Sequence, residues 1–251
     1  MNFLKTHTVA TNYPDIYLVH WTNSITRFKG TLTVRVTAQI EDRHIAAELS
    51  AMRHLLEDKE VLGNNLVGNA GSHLICSLGA IRKLRNGESD KSHLAPYANF
   101  LKTRFAGCPL SVEKRTGWFQ DREPESTDDL LVTGPRRETI VVNGLGEVAV
   151  TEHVLERFAD RYLQEQASNQ TAHQAWKKLC DTASHKSVRE VTRNGLWASS
   201  NHNKNGKQEG RYFLNPNKNL VLVVTDNLHE GKRLVTTYPA TRHFQAMPKA
   251  A

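Results

Sequence analysis

The residues best suited to chemistry lie in one segment, 151–162. Thr151 can act as the N-cap of a helix that follows a run of β-type residues. Positions four apart share one face of a helix, so His153, Arg157 and Arg161 form a single row. Arginine forks match phosphate oxygens, and an imidazole can move a proton near neutral pH. Such a row is one way in which a helix could meet a phosphodiester.

An apolar row and an acidic row flank this basic row on the same helix. They consist of Val154, Phe158 and Tyr162 and of Glu152, Glu156 and Asp160, respectively. The apolar row predicts which side of the helix packs against a core. The acidic row leaves a structural alternative open, because ion pairs such as Arg157 with Asp160 also produce this pattern on a solvated helix face.

The charge of the chain favours a polyanionic partner. The 251 residues contain 33 Lys and Arg against 26 Asp and Glu, a formal charge of +7, and the isoelectric point is near 9.4. The excess is uneven, with +5 in residues 139–251 and +2 in residues 1–138. Nucleic acid is the commonest partner of such chains. We expect RNA, whether single-stranded, tRNA or ribosome-associated, to contact mainly the second half.

Composition indicates a cytoplasmic protein without a metal or cofactor. No apolar run is long enough to span a bilayer, and residues 1–8 lack the segments of a signal peptide. Cys76, Cys108 and Cys180 are odd in number and too widely spaced for a zinc or redox motif. They suit a reducing compartment, where we expect them to be small buried residues.

The first half predicts an α/β domain with a mixed sheet. Alternating and β-rich patterns indicate strands, and apolar residues at helical spacing indicate helices. The predicted strands are two or three within 16–40 (among them 16–22 and 30–40), 61–67 and 109–114, and the predicted helices are 43–58, 72–85 and 93–105. This interleaved order is typical of an α/β sheet rather than of a bundle or a sandwich.

The second half predicts an α+β domain. The segment 119–138 is dense in charge, Pro, Ser and Thr, which predicts a connection between a domain at 1–118 and another at 139–251. The second domain begins with a hairpin that turns at Asn143-Gly144. After this hairpin come predicted helices at 151–162 and 171–184 and predicted strands at 188–199, 210–215, 219–226 and 232–239. We expect the two helices to pack on an antiparallel sheet.

The first half resembles the RNase H family over about residues 13–130. The first predicted helix contains Ala47-Glu-Leu-Ser-Ala51, close to the family's Glu-Leu-x-Ala, and Glu125-Ser-Thr-Asp-Asp-Leu130 resembles its late acidic segment. In that family four carboxylates hold two magnesium ions, which activate a water and stabilise the leaving oxygen. The resemblance matches Glu48 and Asp128 to two of the four carboxylates.

The other two carboxylate positions are occupied by neutral residues. Thr22 or Asn23 stands at the end of the first predicted strand, and Asn69 at the end of the fourth. Magnesium demands hard, charged oxygen ligands, so the loss of two anionic ligands should greatly weaken such a site. We therefore expect an RNase H-like domain that no longer cleaves and that docks a nucleic acid or a protein.

The second half resembles the barnase, colicin-tRNase and RelE-like group of small RNA-cleaving domains over about residues 139–245. The order of hairpin, two helices and antiparallel sheet is that of the group. The row of His153, Arg157 and Arg161 looks like the His-x-x-x-Arg-x-x-x-Arg helix of several of its phage and toxin branches. The segment Lys232-Arg-Leu-Val-Thr-Thr-Tyr-Pro239 is similar to its closing strand. These enzymes need no metal, because RNA supplies its own 2′-hydroxyl nucleophile.

The resemblance implies a role for each polar position. The candidate catalytic residues are His153 as base or acid, Arg157 and Arg161 as phosphate clamps, Thr236 and Tyr238 as hydrogen-bond donors, and His202 as a second proton carrier. Lys204, Lys207 and Arg211 would bind phosphate, and Trp197 and Tyr212 would stack bases. The structural alternatives are a solvated loop histidine and aromatic residues that belong to the core.

Three functions follow from these resemblances. The favoured one is a metal-independent endoribonuclease that acts through the second domain and carries an RNase H-like docking domain. The first alternative is a non-catalytic accessory factor, of phage or mobile-element type, that binds nucleic acid or protein. The second alternative is a variant metal-dependent RNase H.

Overall fold

The computed structural model describes residues 2–25, 29–63, 71–120, 126–163, 169–191, 210–227 and 231–240. The chain divides into two compact units, unit 1 at 1–136 and unit 2 at 137–251. The described residues of each unit form a six-stranded mixed sheet with helices, so the architecture is mixed α/β. In these residues no helix is long and apolar enough to cross a membrane.

Unit 1 alternates strands and helices along the chain. Its elements are β1 (Asn2–Ala10), β2 (Ile16–Asn23), β3 (Lys29–Val36), α1 (Arg43–Glu57), β4 (Ser72–Cys76), α2 (Gly79–Asn86), α3 (Ala95–Lys102), β5 (Leu110–Val112) and β6 (Ser126–Val132). The strand order in the sheet is β5-β4-β1-β2-β3-β6. β1, β2 and β3 are antiparallel neighbours. β4 runs parallel to β1, β5 parallel to β4, and β6 parallel to β3.

The core of unit 1 lies between the sheet and α1. The apolar positions expected on one side of this helix, Ile45, Leu49, Met52 and Leu56, are all buried. They belong to the same core cluster as Leu4, Val19, Leu32 and Leu74 from the central strands. Packing excludes a side chain at Gly30, because a Cβ there would lie 2.6 Å from Nε1 of Trp21.

Three segments of unit 1 differ from the sequence prediction. β1 was not among the predicted strands. The fourth strand is Ser72–Cys76 and not 61–67, of which residues 64–67 lie outside the described residues. The segment from 72 also carries apolar residues at helical spacing, which hid the alternation of buried Ser72, Leu74 and Cys76 with less buried neighbours. The predicted connection at 119–138 contains β6, because sheet pairing and the burial of Val132 outweigh its charged composition.

Unit 2 follows a hairpin–helix–helix–sheet order. Its elements are β7 (Thr139–Val142), β8 (Gly146–Ala149), α4 (Glu152–Phe158), a π-helical turn (Ala159–Leu163), α5 (Asn169–Ser184), β9 (Arg189–Val191), β10 (Gly210–Asn215), β11 (Leu220–Asn227) and β12 (Gly231–Pro239). The strand order is β7-β8-β12-β11-β10-β9. Strands β9 to β12 are antiparallel, and β12 runs parallel to β8.

The apolar sides of α4 and α5 form the main core of unit 2. Val154 and Phe158 of α4 and Trp176 of α5 are at most 2% exposed, and they share a cluster with Leu222 and Leu234 of the sheet. The hairpin before α4 turns at Gly144, whose φ of 76° suits a glycine. A core on one side of α4 leaves the polar side of the helix available for other contacts.

Candidate functional site

The segment with the His/Arg row is helical, but its last turn is not α-helical. The Thr151 hydroxyl caps α4 by accepting a bond from the Val154 amide at 3.4 Å, as the sequence predicts. The α-helix ends at Phe158 and continues as the π-helical turn Ala159–Leu163. A π turn bonds i to i+5 and is wider than an α turn. Arg161 therefore leaves the four-residue row that His153 and Arg157 share.

Arg161 reaches β12 and joins two other predicted catalytic residues. Its Nη1 donates to Thr236 Oγ1 at 3.1 Å and to the Thr237 carbonyl oxygen at 2.9 Å. Its guanidinium carbon lies 4.9 Å from the centroid of the Tyr238 ring. The structure thus brings Arg161, Thr236 and Tyr238 together. We call these three residues the arginine site.

The topology of the sheet explains why an arginine lies here. β8 pairs with β12 at a single register position, Ala149 with Arg233, and leaves the later part of that edge of β12 to α4 and the π-helical turn. An open strand edge carries carbonyl groups that need donors. Arg161 satisfies one of them with Nη1 alone. Its Nε and Nη2 make no hydrogen bond with a described residue.

Sequence reasoning missed Thr237 at this site. Its carbonyl accepts from Arg161, its side chain is fully buried, and its hydroxyl has no hydrogen-bond partner among the described residues. The signal that could have identified it is the polar pair Thr236-Thr237 inside an apolar strand, where one of two successive side chains must face the helices.

His153 and Arg157 lie on the exposed side of α4. The His153 side chain is 65% exposed, and its Nδ1 lies 3.7 Å from Glu156 Oε2. Arg157 is exposed and has no ion pair or hydrogen bond with a residue in the described part of the chain. The structure does not bring either residue into contact with the arginine site. Both side chains are on the same helix and are accessible to a ligand.

The structure does not support Arg211 as a phosphate contact. Its Nε and Nη2 donate to the two carboxylate oxygens of Glu190 at 2.9 and 2.8 Å, across the β9–β10 pair. A bidentate pair occupies the fork that a phosphate would need. Tyr212 is half-buried against the cluster of Val191 and Val223. The other predicted contacts, Trp197, His202, Lys204 and Lys207, lie outside the described residues.

Glu48 of unit 1 is the centre of a second polar cluster. Its Oε1 accepts from Thr6 Oγ1 at 2.9 Å and from the Ser77 amide at 2.6 Å, and its Oε2 accepts from Ser77 Oγ at 2.6 Å. Glu48 is 0% exposed. Burial raises the pKa of this carboxyl, although the bonds from Ser77 and Thr6 act in the opposite direction. We call Thr6, Glu48 and Ser77 the carboxyl centre.

The structure corrects the residues predicted to surround Glu48. Thr22 and Asn23 are on β2, whereas the first strand is β1 and its Thr6 contacts Glu48. Asn69 lies outside the described residues, and Ser77 is the residue that follows the fourth strand. These errors share one cause, since the prediction omitted β1 and shifted the fourth strand.

The predicted match of Asp128 to a carboxylate beside Glu48 is also wrong. Asp128 is on β6, and β2 and β3 separate that strand from β1. At the usual strand spacing this places it about 14 Å from β1. It forms an ion pair with Lys59, with Nζ 3.0 Å from Oδ2. The carboxyl centre therefore contains one carboxylate.

The described part of the chain contains no metal cluster, and its two buried thiols are unreactive. No group of three or more His, Cys, Asp or Glu residues there could hold a metal ion. Burial raises the pKa of the Cys76 thiol to about 12 and that of Cys108 to about 11. Both thiols stay protonated at neutral pH, so neither can act as a nucleophile.

Comparison with known proteins gives no relative on which to base a function. No family model matches the chain, and no curated protein or solved structure matches it. A function for this chain must therefore be argued from the arginine site and the carboxyl centre themselves.

Proposed function

We propose that the chain is a metal-independent endoribonuclease whose active site is in unit 2. The observation that carries the proposal is the arginine site, in which Arg161 meets Thr236 and Tyr238. Three residues that the resemblance to small ribonucleases selects from distant parts of the chain converge at one strand edge. RNA needs only a base, an acid and phosphate-binding cations for this chemistry.

The geometry supports separate roles for the polar residues. Arg161 is fixed by β12 through Nη1, and its Nε and Nη2 can stabilise charge on the phosphate. Arg157 adds a second cation from the exposed side of α4. His153, one turn earlier, takes the proton from the 2′-hydroxyl or supplies one to the 5′-oxygen. Tyr238 lies under the guanidinium and orients it.

The order of elements in unit 2 supports the same class of enzyme. Two helices, α4 and α5, precede four antiparallel strands, and the last of these carries Thr236 and Tyr238. This is the order on which the resemblance to the barnase, colicin-tRNase and RelE-like group rests. The π-helical turn adds a feature that is frequent at functional sites.

For unit 1 we propose an RNase H-like architecture without metal-dependent cleavage. The order β3-β2-β1-β4-β5, with α1 between β3 and β4, fits that family, and β6 is an additional strand beside β3. The positions on the first strand, the first helix and after the fourth strand hold Thr6, Glu48 and Ser77. A variant metal-dependent RNase H is disfavoured, because hydroxyl groups occupy the places of two anionic ligands.

Cleavage of a labelled single-stranded RNA in EDTA tests the ribonuclease proposal. We expect His153→Ala to slow the chemical step on the order of a hundredfold or more. Arg161→Ala should reduce it on the order of a hundredfold to a thousandfold, the effect of removing one transition-state donor. Arg189→Ala is the matched control, because this exposed arginine is on β9, and β11 and β10 separate that strand from β12.

Two outcomes would contradict the assignment of the arginine site as a ribonuclease active site. If His153→Ala and Arg161→Ala cut as fast as the parent, the arginine site is only a strand-edge contact. If the parent binds RNA in a salt-sensitive way without any turnover, the chain is a binding protein. Circular dichroism on each variant ensures that a lost activity is not a lost fold.

Restoring carboxylates tests the architecture proposed for unit 1. We expect the double variant Thr6→Asp/Ser77→Asp to bind Mn²⁺ next to Glu48, because three converging carboxylates suit a hard divalent ion. Its melting temperature should rise on addition of Mn²⁺, whereas that of the parent should not. A variant that folds but gains no stability from Mn²⁺ would contradict the proposed correspondence.

A further inference from the structure

Unit 1 has one sheet face that its described helices do not cover. α1 packs against β1, β2 and β3, and α2 and α3 pack against α1, so these helices lie on the face of Leu4 and Val19. Side chains alternate along a strand, which puts Lys5, His7 and His20 on the opposite face. Among the described residues, the segment 113–120 after β5 crosses that face.

This segment brings two aromatic rings onto the histidines. The Phe119 ring stacks on His20, with centroids 4.2 Å apart and planes 15° apart, and lies 5.1 Å from the ring of His7. Trp118 meets Phe119 edge-on at 4.9 Å. We call Lys5, His7, His20, Trp118 and Phe119 the outer cluster. The aromatic rings of this cluster lie on the face of the sheet that the helices leave uncovered.

The polar atoms of the outer cluster argue against a simple packing layer. His7 Nδ1 and Trp118 Nε1 are buried, and neither has a hydrogen-bond partner among the described residues. Burial lowers the pKa of both His7 and His20, with Lys5 adding to the effect on His7 and His7 to that on His20. Unsatisfied polar groups are costly where aliphatic side chains would pack without that cost.

Two exposed cations precede the aromatic residues in the segment 113–120. The charge of Lys5 is compensated by Glu113, whose Oε1 lies 2.6 Å from Lys5 Nζ. Lys114 and Arg115 follow directly, are exposed, and form no ion pair with a described residue. Basic side chains beside stacked rings are the combination that single-stranded nucleic acid requires, with phosphates on the cations and bases on the rings.

We propose that this face of unit 1 binds single-stranded RNA. Bases stack on Trp118 and Phe119, and the phosphates lie against Lys114 and Arg115. The stacking and charge would serve any single strand, and the choice of RNA rests on the ribonuclease function proposed for unit 2.

The test is a binding titration of the full chain with a fluorescent 2′-O-methyl oligouridine. This probe lacks the 2′-hydroxyl nucleophile, so it is bound without being cleaved. We expect Lys114→Glu/Arg115→Glu to weaken binding at least about tenfold and to make the salt dependence shallower by about 1.4 units of slope. Phe119→Ala should weaken it on the order of tenfold through lost stacking.

The matched control is Arg82→Glu/Lys83→Glu on α2. This adjacent exposed pair undergoes the same change of charge on the helix-covered side of the sheet. If both reversals weaken binding equally, net charge and not the outer cluster holds the probe, and the proposal fails. It fails also if the parent does not bind the probe. Because Phe119→Ala can disturb folding, its melting curve is recorded, and the exposed Lys114/Arg115 pair decides the outcome.

Two further comparisons separate this proposal from that for unit 2. Loss of binding in Lys114→Glu/Arg115→Glu, together with no cleavage of unmodified RNA by the parent, supports the docking face and contradicts the ribonuclease. If the parent cleaves unmodified RNA but Lys114→Glu/Arg115→Glu binds the probe as well as the parent does, the ribonuclease is supported and the docking face is contradicted.

Discussion

The carboxyl centre of unit 1 and the arginine site of unit 2 use a charged residue in opposite ways. Glu48 is fully buried and receives three hydrogen bonds from Thr6 and Ser77. Arg161 uses one of its nitrogens on β12 and keeps the others free of described partners. A charged group whose polar atoms are all hydrogen-bonded within the protein contributes to stability. One that keeps unbonded donors can bind a ligand.

The largest effect expected from this comparison is the destabilisation of unit 1 by Glu48→Ala. The change removes three hydrogen bonds, leaves Thr6 and Ser77 without their acceptor and opens a cavity. We expect a loss of about 3 kcal/mol in the free energy of unfolding, measured by urea denaturation. Glu48→Gln, which preserves the shape, should cost less. Robust magnesium-dependent cleavage that disappears in Glu48→Ala would show that the carboxyl is catalytic.

Arg161→Lys sharpens the other side of the comparison. Lysine keeps the charge but loses the fork, which lets Nη1 bond to β12 and leaves Nε and Nη2 without a described partner. We expect RNA cleavage in EDTA to fall on the order of tenfold to a hundredfold while stability changes by less than about 1 kcal/mol. A large loss of stability with unchanged cleavage would make Arg161 a structural residue like Glu48.

Arg211→Ala should have a smaller effect, and on stability alone. Arg211 is half-buried, and its fork is occupied by Glu190. Removing a partly exposed ion pair should cost about 1 kcal/mol or less. RNA affinity, measured by titration at low salt, should stay within about twofold of the parent, because Glu190 occupies the guanidinium fork and compensates its charge. A clear drop in affinity would restore Arg211 to the phosphate contacts that its sequence position indicates.

Acid should weaken unit 1 through the outer cluster. The folded pKa values of His7 and His20 lie below the usual 6.5, because burial disfavours the charged rings. Their contribution to the free energy of unfolding is therefore present above the pKa of the unfolded state. It is lost as the pH falls through the pKa values of the folded state. We expect the melting temperature to fall between about pH 7 and about pH 5.

The double variant His7→Asn/His20→Asn isolates this contribution. Its melting temperature should depend less on pH over the same range. The raised pKa of Glu48 acts in the opposite sense, since a buried carboxyl that gains a proton stabilises the fold as the pH falls. Only the difference between parent and variant therefore reports on the histidines. An identical pH dependence of the two proteins would contradict the assignment.

The sequence predicts local periodicity well and the pairing of strands poorly. The apolar positions of α1, the Asn143-Gly144 turn and the Thr151 cap depend on nearby residues, and the structure agrees with each. β6 was predicted as a connection, because its pairing with β3 is invisible in its own composition. Strand pairing depends on residues far apart in sequence, which local patterns do not contain.

The candidate sites show the same limit. The convergence of Arg161 with Thr236 and Tyr238 was expected from a resemblance, since helical spacing alone would have kept Arg161 in line with Arg157. The π-helical turn that redirects it has no signal in the sequence pattern. Thr6 and Ser77 were missed because the strands that carry them were omitted or shifted.

The place of β6 in the sheet affects the order in which unit 1 can assemble during synthesis. The bond from Thr37 at the end of β3 to Val132 joins residues 95 positions apart. At the usual rate of translation, a nascent β3 waits on the order of ten seconds for the strand that covers its edge. During that interval an unpaired edge emerges from the ribosome beside β1 and β2. Lys29 and Arg35, the basic residues of β3, are not buried, and charged side chains on a strand oppose edge-to-edge pairing until the partner strand arrives.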